Sequence, residues 1–132
     1  MKFNGQIGRV VWIFALLLFA GAASAQEESR SIYIPFREVH GRIILDVKLD
    51  GKPAALLFDT GAAMSFRLEP PRPLILVVHH GEPHFETTAP DERCPTMATP
   101  EVRVQGFVGT DVLKRFRAVR INFKEHVLEL EK

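Results

Sequence analysis

Residues 42–61 constrain the fold more tightly than any other part of the chain. Over residues 42–50 the side chains alternate, with Ile43, Leu45, Val47 and Leu49 on one face and Arg42, Asp46, Lys48 and Asp50 on the other. A period of two with one apolar and one polar face is the pattern of a half-buried strand. Ile44 alone breaks it. Asp50-Gly51 follows, a dipeptide suited to the two positive-φ positions of a type I′ hairpin turn. Residues 54–58 are continuously apolar and run into Asp59-Thr60-Gly61. The segment therefore predicts a tight hairpin whose second strand is buried and ends on a carboxylate.

The rest of the chain from residue 31 onward carries the same kind of punctuation. Residues 31–36 read as a first strand. Residues 64–68 read as another, interrupted by Pro70-Pro71-Arg72-Pro73, because proline cannot donate to a sheet ladder. Residues 74–78 are apolar and lead to His79-His80-Gly81-Glu82-Pro83, a hairpin tip that returns through residues 84–87. Residues 88–100 are rich in Pro and Thr and read as a loop. Residues 101–105 predict a strand. Gly109-Thr110-Asp111 opens a helix of about six residues, in which Thr110 or Asp111 can cap free amide groups. Val119, Ile121 and Phe123 alternate as a strand, and Val127, Leu128 and Leu130 form the last one after a Lys124-Glu125-His126 turn. The class is mostly β with one short C-terminal helix.

The N-terminus is of another kind. Lys2 and Arg9 precede an almost wholly apolar run at residues 10–21, and Ala23-Ser24-Ala25 follows. These are the three zones of a secretory signal peptide, with cleavage expected after Ala25. The apolar run, about a dozen residues, is short of the roughly 20 that span a bilayer, which disfavours an uncleaved anchor. The expected organisation is a signal peptide at 1–25, a short polar leader at 26–30 and a single domain at 31–132. The product is expected to be periplasmic or secreted, touching the membrane only through its signal. Loss of Lys2 and Arg9 reverses the sign of the formal net charge of +1. A near-neutral chain offers no basic footprint for nucleic acid. Its one cysteine, Cys94, can form neither an internal disulfide nor a Cys-based zinc site by itself.

Asp59 is the informative residue. A carboxylate at the end of a buried strand needs hydrogen bonds or a task, because burying a charge is costly. Gly61 lets the backbone turn sharply so that amide groups can approach Asp59, and Thr60 adds a hydroxyl. An Asp-Thr-Gly turn is also an ordinary way to end a strand. Its context is more specific: Phe107-Val108-Gly109 leads into Asp111-Val112-Leu113 and Phe116, followed by two short strands. With these two anchors in this order, residues 32–130 resemble the retropepsin-like aspartic proteases, in particular their small exported bacterial type. The resemblance implies a closed β barrel and an endopeptidase acting on peptide or protein substrates, with neither metal nor cofactor. It implies a C2 homodimer, because two catalytic carboxylates are needed and the chain carries one such motif. Asp59 would be catalytic, supported by Thr60, Gly61 and Ala62. Phe107, Val108 and Gly109 would form the loop behind the aspartate turn, and the hairpin tip at His79, His80 and Gly81 would be the flap.

Two other readings stand beside this one. The same barrel could serve binding or assembly without catalysis. Alternatively, His79, His80 and His84, with Glu82 or Glu86, could gather around zinc or copper. Neighbouring strand residues point to opposite faces, so His79 and His80 are not expected to serve one ion. His40 and His126 sit in turns and carry no motif. Lys114-Arg115-Phe116-Arg117 reads as the wet face of a short helix. For the export signal, N-terminal sequencing of the secreted product is expected to begin at Gln26. A membrane-retained product that keeps residues 1–25 would refute cleavage.

Overall fold

The structure is a computed structural model that describes residues 30–95 and 101–132. The expected signal peptide, the leader up to residue 29 and residues 96–100 of the Pro- and Thr-rich loop lie outside the described residues. In chain order the elements are β1 (Ser31–Val39), β2 (Arg42–Leu49), β3 (Lys52–Phe58), β4 (Phe66–Arg67), β5 (Arg72–His79), β6 (Glu82–Thr87), β7 (Gly106–Val108), α1 (Thr110–Leu113), β8 (Ala118–Asn122) and β9 (Val127–Glu131). Six strands run in the order β3-β7-β4-β5-β6-β2, and β2 pairs back with β3. That pairing closes a barrel, so the fold is the mostly β closed barrel expected from the sequence. Beyond β2 the sheet continues through β1 and β9 to β8 as an arm. β1 serves both parts: Phe36 to Val39 pair with β2 and Ser31 to Pro35 pair with β9.

Three hairpins turn on a pair of positive-φ residues: His40-Gly41, Asp50-Gly51 and His80-Gly81. This is the type I′ requirement, and its backbone twist matches that of the flanking strands. Asp50 does more than turn the chain. Its carboxylate accepts hydrogen bonds from the Thr87 amide and hydroxyl, both at 2.9 Å. Its own amide donates to the Phe85 carbonyl at 3.0 Å. The parallel junction of β2 with β6 has a single residue pair, Leu49 with Phe85, so these three bonds reinforce the barrel closure.

Two apolar clusters use opposite faces of the same strands. Inside the barrel, Leu45, Leu49, Leu56, Leu74, Leu76, Phe85 and Val108 pack together. Ile32, Ile34, Leu128 and Leu130 of the arm join them, as do Val112 and Leu113 of α1. On the other face, Ile44, Ala55, Leu57, Phe66 and Phe107 pack with Val102 and Val104. This second cluster accounts for the break in the β2 alternation. Ile44 is fully buried because residues 102 and 104 cover the outside of the barrel there.

Residues 101–105 are not the expected strand. Val102 and Val104 are buried, but the segment is an irregular cover, and Gln105 shows why pairing stops. Its amide donates to the Ala55 carbonyl at 2.8 Å, while its side-chain Oε1 accepts from the Ala55 amide at 2.6 Å. One residue therefore occupies both backbone groups of Ala55, and the ladder begins at Gly106. The helix is also shorter than expected, at four residues. Its N-cap is Gly109, which has no side chain to cap with, and neither Thr110 nor Asp111 takes that position. Lys114 to Arg117 lie beyond it: Phe116 packs on the main core and Arg117 pairs with Glu131 at 3.0 Å.

At Gly106 the backbones of β7 and β4 approach closely. A Cβ there would collide with the Phe66 carbonyl oxygen and come within 3.1 Å of the Arg67 Cα, so backbone would have to move. Gly106→Ala is expected to cost about 2–3 kcal/mol, read by urea denaturation.

Candidate active site

β3 delivers Asp59, and β7 holds it in place. The two strands are parallel, with Leu57 opposite Phe107 and Phe58 opposite Val108. The ladder continues one step further, since the Asp59 amide donates to the Val108 carbonyl at 3.0 Å. The chain then turns tightly. The Ala62 amide donates to the Asp59 carbonyl at 3.2 Å, and the Gly61 amide donates to Asp59 Oδ1 at 2.8 Å. Asp59 is half-buried, whereas Thr60 and Gly61 are exposed. Among the described residues the Gly61 amide is the hydrogen-bond partner of the Asp59 carboxylate, which leaves Oδ2 free.

The turn is pinned from behind by residues 44 to 48 positions further along the chain. The Thr110 amide donates to the Ala62 carbonyl at 2.8 Å. The Gly109 amide donates to Ser65 Oγ at 2.8 Å, and that hydroxyl donates to Asp111 Oδ1 at 2.7 Å. The same oxygen of Asp111 accepts the amides of Ser65 at 2.9 Å and Val112 at 2.8 Å. Asp111 is thus committed to three donors, which is why it does not act as a helix cap in the usual position. Ser65 is fully buried and its hydroxyl both accepts and donates, so its polar group is satisfied. Gly109 must be glycine: a Cβ would lie 2.6 Å from the Ala62 carbonyl oxygen and 2.9 Å from the Met64 carbonyl.

Phe107 and Val108 are strand residues rather than a loop, and they face opposite ways. Val108 enters the main core and Phe107 the second cluster, where its ring stacks on Phe66 with centroids 5.0 Å apart. Both lie directly behind the aspartate turn through the β3–β7 pairing. Ser65 and its bond to Asp111 were not foreseen. The one available signal was a small polar residue between the apolar Met64 and Phe66 in a segment read as strand.

His80 and Gly81 line a groove of about 630 Å³ with Arg30, Ser31, Tyr33 and Lys132. The rings of His79 and His80 are 4.1 Å apart, contrary to the expectation of opposite faces. His80 has left the strand and sits in the turn with φ of 50°. His84 Nε2 lies 3.0 Å from Glu86 Oε1. Among the described residues no group of three or more His, Cys, Asp or Glu side chains is gathered as metal ligands would be. In the loop leading away from β6, hydrogen bonds from the Arg93 side chain and amide hold Asp91 down at about 2. Burial pushes the Cys94 thiol up, which keeps it a thiol rather than a reactive thiolate.

Removing the Ser65 hydroxyl tests how the turn is supported. Ser65→Ala leaves the buried Gly109 amide unpaired and takes one donor from Asp111. The expected cost is about 1–3 kcal/mol, with faster hydrogen exchange at the Gly61 and Thr110 amides.

No family model and no curated protein matches the chain. Among solved structures it is similar to the crystal structure of a retropepsin-like aspartic protease from Rickettsia conorii. That similarity has a TM-score of 0.43 and 16% identity, covering 76% of this chain and 89% of that one.

Proposed function

We propose that the chain is an exported aspartic endopeptidase in which two copies of Asp59, one from each of two subunits, activate a water. The observation that carries this reading is the Asp59 turn itself. One carboxylate oxygen is held by the Gly61 amide at 2.8 Å while the other is left free at a rigidly braced strand end. A single carboxylate is a weak catalyst of amide hydrolysis. Two of them within hydrogen-bond reach cannot both ionise cheaply, so the pair shares one proton and titrates in coupled steps. The ionised member takes a proton from the water as it attacks the scissile carbonyl carbon. The protonated member donates to the carbonyl oxygen, giving a tetrahedral gem-diol intermediate. Collapse of that intermediate, with proton transfer to the leaving nitrogen, releases the two peptides. Each chain carries one Asp59, and a two-fold axis is the simplest way to bring two together. Thr60 is exposed at the tip of the same turn, and in this reading it would meet its counterpart across that axis.

The test is cleavage of an unfolded protein such as oxidised insulin B chain by purified residues 26–132. Activity is expected to follow a bell in the acid range, and Asp59→Asn is expected to lower it about 10³-fold or more while leaving the fold intact. A folded wild type and a folded Asp59→Asn that are equally inactive would reject the endopeptidase and favour a binding role for the barrel.

A further inference from the structure

A cavity of about 590 Å³ lies at the end of the barrel where β3 begins. Ala54 on its wall stands five residues before Asp59, so at the rise of an extended strand the two are roughly 16 Å apart. Leu49, Ala54, Leu68 and Val104 give the cavity apolar walls, and Lys52, Arg67 and Gln105 bring hydrogen-bond donors to it. Its volume is within the range of pockets that hold small organic molecules.

Arg67 is the unusual member. Its Nε is buried and, among the described residues, has no hydrogen-bond partner. Its Nη1 lies 3.7 Å from Asp50 Oδ2, beyond hydrogen-bond distance, and both oxygens of Asp50 already accept from Thr87. With Nη1 turned to Asp50, the fork formed by Nε and Nη2 is left for another acceptor. Such a fork matches the two oxygens of a carboxylate. A buried donor without an acceptor is destabilising, so this arrangement is costly until an acceptor arrives. The β4–β5 register adds to the imbalance. Arg72 stands directly opposite Arg67, and like charges facing one another in a sheet repel. Among the described residues neither Arg72 nor Lys52 has an ion pair. Gln105 Oε1 accepts from the Ala55 amide at 2.6 Å, which leaves its Nε2 hydrogens without an acceptor among the described residues. Glu69 also lines the cavity; it is exposed and, among the described residues, pairs with neither cation.

We propose that this cavity binds a small carboxylate carried on an apolar body, with Arg67 and Lys52 taking the carboxylate and the aliphatic walls taking the rest. Charge and shape both select this class. A multiply charged anion such as phosphate would face Asp50 and Glu69 with no apolar contact to offset the repulsion. A purely apolar ligand would leave the Arg67 fork unpaired. A single carboxylate fills that fork and adds one negative charge where Lys52 and Arg67 stand without full compensation. An acyl chain and the free C-terminus of a peptide both carry this chemistry. The cavity shares no residue with the Asp59 turn, and its binding is independent of the peptidase reading.

The test is a titration of the isotope-labelled protein, purified as the cell produces it from the full-length chain and followed by the amide resonances of Ala54, Leu68 and Gln105. N-acetyl-leucine and octanoate are expected to shift these resonances with Kd of about 1 mM. The tighter of the two tells whether the walls fit a peptide terminus or an acyl chain. N-acetyl-leucinamide, which lacks the carboxylate, is expected to bind about tenfold more weakly or worse. Arg67→Met, which keeps the aliphatic stem, is expected to lose affinity by about the same factor, and the exposed Lys52→Met by a few-fold. If Arg67→Met does not fold, Lys52→Met and the comparison of carboxylate with amide still decide. Equal binding of N-acetyl-leucine and its amide overturns the proposal, as does wild-type affinity in the folded variants. Shifts confined to the Asp59 turn, or none at about ten times the expected Kd, overturn it as well. Asp59→Asn is expected to bind as the wild type does, so failure of the peptidase reading would leave this result standing.

Discussion

β7 is three residues long, yet it lies between β3 and β4 with both of its faces buried, and the Asp59 turn is built on that wedge. Gly106 lets the backbone of β4 approach so closely that no side chain fits. Phe107 and Val108 then fill the two apolar clusters on opposite faces. Gly109 tucks under the carbonyls of Ala62 and Met64. Each of these contacts is short-range packing, but together they hold a strand end that closes a loop of about 50 residues, an entropic cost that local packing alone must offset.

In the proposed reaction this stiffness fixes the Asp59 carboxylate before a second copy meets it. A carboxylate can exchange a proton with a water in solution as well. What the fold adds is a fixed direction. The amide of Gly61 occupies one oxygen, and the carbonyls of Val108 and Ala62 are each tied to the opposite side of the turn. Positioning of this kind removes orientational freedom before the reaction begins, which is where much of the advantage of an enclosed site lies. The Ser65–Asp111 pair serves the same end one layer further back. Asp111 Oδ1 takes the Ser65 amide and hydroxyl and the Val112 amide, and the same hydroxyl accepts the Gly109 amide.

What the sequence disclosed was governed by distance along the chain. The hairpin at Asp50-Gly51 and the strands on either side of it are visible because their pattern and their turn are local. Asp59 stands out for the same reason, as a charge directly after an apolar run. β7 was foreseen as support for the turn only through the resemblance of the Phe107-Val108-Gly109 motif. No local pattern marks three residues as a strand when their partners lie 50 positions away. The error at residues 101–105 has a related cause. Val102 and Val104 alternate as strand residues do, and nothing in the pattern reveals that the Gln105 side chain takes the place of a backbone group at Ala55. Ile44 was visible as an exception, but its reason, a second apolar layer outside the barrel, needed the tertiary structure.

The closure of β2 onto β6 gives the barrel a seam. Every other junction around the ring has two or more paired residues, whereas this one has Leu49 with Phe85. Asp50, across from Thr87, works there as a clasp made largely of one side chain. The closure of the ring is therefore concentrated in one carboxylate: β2 and β6 rely on the side chain of Asp50 where the other junctions rely on backbone ladders.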